Sequence, residues 1–264
     1  MEGKYLSRDD APIGSEIWSV LDSTMVEAAK SVLTGRRLLH IEGPYGLGLK
    51  GVPLQDVQIE GDLIASPFIP VFLMQKTFTL SKRDLAAFER EGIPVNTAEV
   101  ANAAIDLAQK EDKLVFNGAA GAPGLMSASG SGEFNLSSWD EMGKAAEEII
   151  GAVTMLDKAG FHGPYSLALS PARYNLLLRV YHHSGITELE HLRTIVTEGI
   201  FKAPVLDSGG VLLASGKQYA AIVVGQDMSI GFIGPAEGDC LEFVVSESLV
   251  PVVRAPQAIC VLKG

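Results

Sequence analysis

The feature that most constrains the fold of this chain is a long helix predicted between Asn96 and Gly118. Asn96 is a favourable N-cap residue, and Glu99 follows three positions later, at the spacing of a capping box. Gly118 offers the left-handed C-cap that ends many helices. Apolar residues recur between them at helical spacing: Val100, Ala104, Leu107, Leu114 and Val115. A helix of this length would run roughly 30 Å, the span of a small domain.

The composition of this helix indicates what surrounds it. Many of its apolar positions are alanine, which lets other backbones approach closely on more than one side, so we expect a central helix. Its charged residues are interpreted as a solvated face with i,i+4 pairing. These are Asp106, Lys110, Glu111, Asp112 and Lys113.

Composition and charge exclude several functions. The 264 residues carry a net charge of −11, which disfavours binding to nucleic acid or to acidic membranes. The apolar window Leu63–Met74 is too short and too proline-rich to span a membrane, and the N-terminus lacks a signal-peptide core. Cys240 and Cys260 fit buried thiols in a reducing compartment, although a disulfide remains open if their strands pair. We therefore expect a soluble, cytoplasmic protein.

The first half of the chain alternates helix and strand signals. Residues 1–12 are expected to form a loose arm, followed by a helix capped by Ser15 and ended by Gly35, and then by a strand over Arg37–Glu42. From Lys50 to Leu80 the pattern alternates around a Glu60-Gly61-Asp62 turn, which predicts a long β-hairpin. A hairpin this extended is rarely stable alone and needs a neighbour to cover it.

The second half predicts a mixed domain. A capping box of Ser138 and Glu141 opens a second long helix, and a short strand covers Tyr165–Leu169. Ser170 before Pro171 starts a further helix, which breaks at residues 182–185, and Thr187 with Glu190 opens another. The remaining segments are interpreted as strands, so the fold class is α+β.

Known catalytic patterns are weak or missing. Residues 46–51 match G-x-G-x-x-G, but Pro53 leads into an extended segment instead of a helix, so we interpret them as a flexible turn. The sequence has no G-x-S-x-G, H-E-x-x-H or C-x-x-C motif. Asp227 could be a lone catalytic carboxylate, but an Asp in such a setting more often bonds its own turn.

The histidines His182 and His183 lie between two helices, with His191 further on. A stable metal site needs three or four ligands in fixed geometry, so in a monomer we interpret the pair as solvated loop residues. The interpretation changes if the loop is repeated around a symmetry axis.

Several sequence blocks together resemble encapsulin shell proteins, the linocin-like group with an HK97-type capsid fold. They are Gly35-Arg36-Arg37 with Glu42-Gly43-Pro44-Tyr45-Gly46, Gly163-Pro164-Tyr165-Ser166-Leu167 with Arg173-Tyr174, Gly225-Gln226-Asp227-Met228-Ser229-Ile230-Gly231, and the closing Ser246-Glu247-Ser248 to Pro256-Gln257-Ala258-Ile259. The resemblance covers nearly the whole chain in order, and it is the joint occurrence of these blocks that is specific.

The resemblance implies a division of the chain. Residues 1–36 would form the N-terminal arm and helix, residues 37–49 and 81–122 the peripheral domain with the long helix, and 50–80 the extended loop. Residues 123–224 would form the axial domain, and 225–264 the C-terminal strands of the peripheral domain. Neighbouring subunits in a closed shell would cover the extended loop.

The resemblance also implies a function: a non-enzymatic shell protein that assembles into an icosahedral nanocompartment of 60 subunits or a multiple. Its cargo would be a ferritin-like iron-storage protein or a dye-decolourising peroxidase, held through a C-terminal targeting peptide. The positions implied for that peptide are Met25, Ala29, Leu33, Ile41, Ile230 and Phe232.

By the same resemblance, a loop on the five-fold axis would line a pore. It comprises Tyr181, His182, His183, Ser184, Gly185 and Ile186, with Glu188 nearby. The two histidines would give a ring of about ten imidazoles in a pentamer, which we expect to admit small ions such as iron. In some family members a tryptophan just before the long helix is linked to flavin. Residues 81–85 contain none, so we predict no cofactor.

Two alternatives stay open. A prophage major capsid protein would share the fold, but it would be expected with a cleaved scaffold segment and with contacts that tolerate DNA. A secreted bacteriocin or hydrolase is a third candidate, against which the missing signal peptide and nucleophile motif count.

Overall fold

The computed structural model describes residues 2–181 and 185–264, and it divides into two units. The first unit contains the chain up to Leu33, Gly43–Glu111 and Val223–Val250, and the second contains Thr34–Glu42, Asp112–Ile222 and Pro251–Gly264. The predicted α+β class is confirmed, because helices and strands alternate along the chain.

Seven α-helices lie in the described residues: α1 Ser15–Val32, α2 Gly35–Leu38, α3 Lys82–Glu91, α4 Ala98–Asn117, α5 Lys144–Lys158, α6 Pro171–Leu176 and α7 Glu188–Leu192. Short 3-10 helices cover Glu2–Tyr5, Arg8–Asp10 and Pro256–Ala258. The strands are β1 His40–Glu42, β2 Gly51–Pro53, β3 Val57–Glu60, β4 Leu63–Ala65, β5 Phe68–Pro70, β6 Phe72–Ser81, β7 Gly118–Ala119, β8 Ala122–Pro123, β9 Gly132–Asn135, β10 Tyr165–Leu169, β11 Gly199–Lys202, β12 Gly210–Ala214, β13 Ala220–Ala236, β14 Cys240–Val253 and β15 Ile259–Lys263.

Two sheets organise these strands. A four-stranded sheet has the order β1-β13-β14-β6, and β14 runs antiparallel to β6 with Phe243 opposite Phe78. A five-stranded sheet in the second unit has the order β11-β10-β12-β15-β9. Its central strands β10 and β12 are buried along their whole length, as expected for strands covered on both faces.

The predicted long helix is α4. It begins at Ala98, and the Asn96 side chain accepts a hydrogen bond from the Ala98 amide at 3.1 Å. Its apolar face is fully buried in the core of the first unit, where Val100, Ala104 and Leu107 pack with residues of α1, β6 and β14. The small side chain of Ala104 allows α1 and the two strands to pack close to α4.

The prediction of a solvated charged face on α4 was wrong at two positions. Glu111 and Asp112 are both buried, and the Asp112 carboxylate accepts hydrogen bonds from the backbone amides of Thr34 and Gly35, each at 2.8 Å. These amides stand at the start of α2 and need an acceptor. Spacing along α4 alone cannot reveal that demand, because the donors come from a distant part of the chain.

The predicted start of the second long helix was also wrong. Helix α5 begins at Lys144 after Gly143, not at the Ser138–Glu141 capping box. The preceding segment is held in the core instead: the indole of Trp139 is fully buried and donates to Glu148 at 2.7 Å. The burial of this large side chain determines the conformation of the segment before α5, and it outweighs the local capping signal of Ser138 and Glu141.

The C-terminal strands differ from the implied division. Residues 225–264 were assigned together to the peripheral domain, but β15 pairs with β12 and β9 in the five-stranded sheet of the second unit.

A further element, α3, was not predicted. It is capped by Ser81, whose hydroxyl accepts a hydrogen bond from the Arg83 amide.

Candidate functional site

The predicted hairpin exists and carries a large exposed apolar surface. Two antiparallel ladders, β2 with β5 and β3 with β4, build it around the turn at Gly61, and β6 then leaves it to pair with β14. The apolar side chains that are about half exposed or more on it are Leu54, Val57, Ile59, Leu63, Ile64 and Phe68. Ile59 is 63% exposed and Ile64 62% exposed. Exposed apolar side chains in this number on one hairpin indicate an interaction surface.

The charges between residues 51 and 75 of the hairpin all have one sign, and Lys50 and Lys76 flank that segment. Between residues 51 and 75 the ionisable side chains are Asp56, Glu60 and Asp62, and each belongs to an exposed residue. The hairpin therefore offers an apolar surface whose tip is acidic.

The predicted pore loop lies partly outside the described residues, because His182, His183 and Ser184 are not described. The chain on either side of them is paired: Val180 forms a β-bridge with Thr187, and the Tyr181 amide donates to the Ile186 carbonyl at 3.0 Å. Gly185 and Ile186 are exposed. The two ends of the loop are thus held together at its base.

His191 on α7 supports this base. The Tyr181 hydroxyl lies 3.4 Å from its Nδ1, and the two rings meet nearly edge to face with centroids 6.0 Å apart. Burial raises the pKa of Tyr181 above its usual value, and the nearby Glu188 carboxylate adds to the rise, while Arg179 opposes it. Tyr181 is therefore a neutral phenol at physiological pH.

Glu188 is fully buried and takes part in a network inside the chain. It pairs with Arg179 at 2.9 Å and accepts a hydrogen bond from the Gly143 amide. Thr187 and Glu190 form the predicted capping box at the start of α7. The Glu188 carboxylate is therefore engaged within this chain, where it connects α7 to Arg179 and to the Gly143 amide.

The six positions implied for a cargo peptide fall into two groups. Met25, Ala29, Leu33 and Ile230 are buried, at 4%, 5%, 7% and 0% exposure, and they belong to the core of the first unit. Phe232 is half-buried, with its ring 5.5 Å from that of Phe243. Ile41 on β1 is 40% exposed. Helical spacing on α1 correctly places Met25, Ala29 and Leu33 on one face, but within this chain that face is core.

Sequence analysis missed the structure of the N-terminal arm. The Arg8 guanidinium makes two hydrogen bonds to Asp22, at 2.8 and 2.7 Å, and lies 4.0 Å from the Trp18 ring centroid. The Phe232 amide donates to the Leu6 carbonyl at 2.8 Å. The expectation of a loose arm was therefore wrong. A charged pair fourteen residues apart gives no periodic signal that could have revealed the contact.

The remaining sequence candidates take ordinary structural roles. The G-x-G-x-x-G segment leads into strand β2, which begins at its last residue, Gly51, as expected for a turn. The Asp227 carboxylate accepts a hydrogen bond from the adjacent Met228 amide at 2.9 Å. Cys240 and Cys260 are free thiols. Within residues 2–181 and 185–264, no three His, Cys, Asp or Glu side chains are grouped to hold a metal ion. Among the helices of the described residues, none combines the length with the hydropathy that a membrane span requires.

Comparison with known families gives a match over most of the chain. Residues 3–250 match the Linocin_M18 family model, described as encapsulating protein for peroxidase. The chain is 32% identical to the type 1 encapsulin shell protein EncA of Myxococcus xanthus, over 98% of this chain and 96% of that protein.

Two other relatives are fusions. A diheme-cytochrome-encapsulin shell fusion protein of Kuenenia stuttgartiensis is 31% identical over 95% of this chain and 74% of that protein. A ferritin-like-encapsulin shell fusion protein of Pyrococcus furiosus is 30% identical over 76% of this chain and 55% of that protein.

Solved structures agree with the sequence comparisons. The virus-like particle from Pyrococcus furiosus matches with a TM-score of 0.77 and 26% identity, over 94% of this chain and all of that one. The capsid of the Myoviridae phage XM1 matches with a TM-score of 0.62 at 15% identity, over 86% of this chain and 89% of that one. The second likeness shows the fold alone, which is that of HK97-type capsids.

Proposed function

This chain belongs to the encapsulin shell-protein family, and from that premise we propose that it closes into an icosahedral nanocompartment around a cargo enzyme. The proposed shell contains 60 subunits or a multiple, as icosahedral symmetry requires. The observation that carries the proposal is the exposed apolar surface of the 51–70 hairpin, which this chain leaves uncovered.

The role proposed for the chain itself is structural, without catalytic activity of its own, and located in the cytoplasm. Relatives that match nearly its whole length are named shell proteins, which supports this role. The phage-capsid alternative rests on a likeness of fold at 15% identity, and the bacteriocin or hydrolase alternative has no supporting observation.

The proposed cargo is a ferritin-like iron-storage protein or a dye-decolourising peroxidase. The fusion of a ferritin-like protein to the Pyrococcus furiosus relative and the peroxidase in the family description support these two classes. We propose that a C-terminal tail peptide of the cargo docks at the six implied positions. Ile41 and Phe232 have accessible surface for such a contact, whereas Met25, Ala29, Leu33 and Ile230 are buried within the chain.

Deletion of Val57–Phe72 tests assembly. We expect the intact chain to form hollow particles without cargo and the deletion variant to form only small oligomers, by electron microscopy and size-exclusion chromatography with light scattering. A second variant, Ile59→Lys with Ile64→Lys, keeps the hairpin but charges its apolar surface, and Gln55→Lys is its matched control. Intact shells from both the deletion and the Ile59→Lys/Ile64→Lys variants would contradict the proposal.

We also propose that the 181–186 loop lines an ion-conducting opening, with the paired base of the loop holding its ends in place. Replacing His182 and His183 together by alanine should change the rate at which iron enters a shell loaded with a ferritin-like cargo. The substitution His162→Ala, at an exposed histidine, serves as the control. An unchanged rate in the double variant would remove the histidines from this role.

A further inference from the structure

The N-terminal arm lies against the long edge of strand β13. This strand has 17 residues and its neighbour β1 has 3, so β1 can cover only a small part of that edge. Backbone groups along an uncovered edge pair readily with another segment laid beside them. The arm takes this place at one point, where the Phe232 amide donates to the Leu6 carbonyl at 2.8 Å. The chain therefore covers its own strand edge at Phe232.

The close approach of the arm depends on Gly231, the residue before Phe232. Gly231 is buried, and a Cβ atom at this position would lie 3.1 Å from the Leu6 carbonyl oxygen and 3.4 Å from the Leu6 Cα. A glycine inside a strand often marks such a passage of another backbone. The backbone of Leu6 thus fills the space over residues 231 and 232.

A second contact anchors the arm to α1. The Arg8 guanidinium makes its two hydrogen bonds to Asp22 and lies over the Trp18 ring. These three residues form part of the wall of a groove of about 750 Å³ along α1. The side chains of Arg8 and Asp22 are 28% and 39% exposed, so solvent screens the ion pair and its net contribution to stability is small.

The arm is held in place with little burial. Of the described residues 4–10, none has a buried side chain. Tyr5 and Leu6 border a cavity of about 260 Å³ that also touches the 44–48 turn and residues 226–229. Ser7 has a φ of 48°, in the left-handed region that is unfavourable for a residue with a side chain. A segment with so few buried contacts opens at a lower free energy than the core elements do.

We propose that the arm is a strap that competes with the tail peptide of the cargo for the edge of β13 at Phe232. This inference rests on the proposed cargo docking and adds its regulation. Phe232 is one of the two docking positions with accessible surface, and its amide is the group that the arm binds. An extended peptide that adds to a strand edge uses the backbone amides of that edge. Because the arm already holds the Phe232 amide and the space over Gly231, the arm and the peptide exclude each other.

The strap has two physical consequences. It covers a strand edge that would otherwise pair with unrelated chains while the shell holds no cargo. It also lowers the apparent affinity for the tail peptide, because only the fraction of subunits whose strap is open can bind. Weakening the contact between the strap and α1 should therefore increase loading.

Two substitutions break the same ion pair but change the local charge in opposite directions. Arg8→Ala makes this surface more negative, and Asp22→Asn makes it less negative. The probe is a fluorescent protein that carries the C-terminal sequence of the native cargo, co-expressed in limiting amount with the shell protein. We expect both variants to increase the fluorescence per shell about threefold or more, since each raises the open fraction. Direct attraction between peptide and surface would move the two variants in opposite directions.

The controls separate the strap from general effects of substitution. Lys4→Ala removes an exposed cation from the same arm and should leave loading unchanged. Gly14→Ala adds a methyl group where no atom lies within 4 Å, and it should also leave loading unchanged. Electron microscopy counts the shells of each variant, and the fluorescent protein without the tail gives the background.

Hydrogen exchange measures the strap itself, without any substitution. We expect the backbone amides of residues 4–13 to exchange faster in loaded wild-type shells than in empty ones, because the bound tail displaces the arm. The same segment should exchange faster in empty shells of Arg8→Ala and Asp22→Asn than in those of Lys4→Ala.

Three results would overturn the inference. They are loaded wild-type shells whose residues 4–13 exchange as slowly as in empty shells, opposite changes of loading in Arg8→Ala and Asp22→Asn, and unchanged loading in variants whose arm exchanges faster. If the tailed protein enters neither wild-type nor variant shells, the proposed cargo docking fails and the strap fails with it. That outcome differs from shells that load normally with the arm in place, which would overturn the strap alone.

Discussion

Glu148 illustrates how the second unit uses a buried charge. Burial by itself raises the pKa of this carboxyl, but hydrogen bonds outweigh it and hold the pKa below its usual value. The donors are the Ser137 side chain, the Trp139 indole at 2.7 Å and the Ser137 amide at 3.0 Å. Glu148 thus holds the segment before α5 more strongly when it is ionised.

This gives a prediction on pH dependence. Because the pKa of Glu148 is lower in the folded than in the unfolded state, its ionised form stabilises the fold above the unfolded pKa of about 4.3, and that stabilisation is lost as the pH falls through the folded pKa. We expect Glu148→Gln to lower the free energy of unfolding by about 2 kcal/mol at pH 7 and by less near pH 4.

Urea unfolding at the two pH values measures this difference. Glu147→Gln, at the adjacent exposed position that pairs with Lys144, should change the free energy of unfolding by less than about 0.5 kcal/mol. An equal loss for Glu148→Gln at both pH values would assign its effect to packing and not to charge.

Asp112 is a second buried carboxylate whose hydrogen-bond donors are backbone amides. Its carboxylate accepts hydrogen bonds from the backbone amides at the start of the four-residue helix α2. A charged residue in a helical sequence is usually solvated. Here the residue is an acceptor for donors that lie 77 and 78 positions away in the chain.

At the scale of elements, small side chains allow α4 to pack inside the core. Ala103, Ala104 and Ala108 are almost fully buried, and they leave room for α1 and the sheet to pack closely against the helix. Because this core is filled, added methyl groups force neighbouring side chains from their rotamers.

We therefore expect Ala104→Leu to lower the free energy of unfolding by about 1–3 kcal/mol and to reduce the yield of shells. Ala101→Leu, on the partly exposed side of the same helix, adds the same atoms and should be tolerated. Thermal or urea unfolding compares the two. An equal decrease in the free energy of unfolding for the two variants would show that the composition of the helix, and not the packing of one face, determines the stability.

At the scale of the whole molecule, the buried positions on α1 change how cargo docking should be tested. Ala29 lies against Ala108 in the core, so a bulky substitution there tests folding and not docking. Ile41 is exposed, and its side chain can be altered without opening the core.

We expect Ile41→Asp to lower the amount of cargo that co-purifies with each shell severalfold, because a carboxylate disfavours an apolar tail peptide, while shells still form. Ile93→Asp, at another exposed isoleucine, is the control. Co-expression with the native cargo and densitometry of purified particles measure the ratio. Unchanged loading would exclude Ile41 from the docking surface.

The sequence alone determined the features that depend on neighbours along the chain. Apolar periodicity and the Asn96 cap located α4 within two residues, alternation around Gly61 located the hairpin, and Thr187 with Glu190 marked the start of α7. These signals are local, because caps, turns and amphipathic faces are set by residues a few positions apart.

Only the tertiary structure decided what depends on distant partners. It buried Asp112 beneath the Thr34 and Gly35 amides, drew Trp139 into the core so that α5 starts late, and placed β15 beside β12. It also placed Met25 and Ala29, which helical spacing had put on one face, inside the core. Periodicity shows that residues share a face, but burial and unsatisfied donors elsewhere in the fold determine what that face meets.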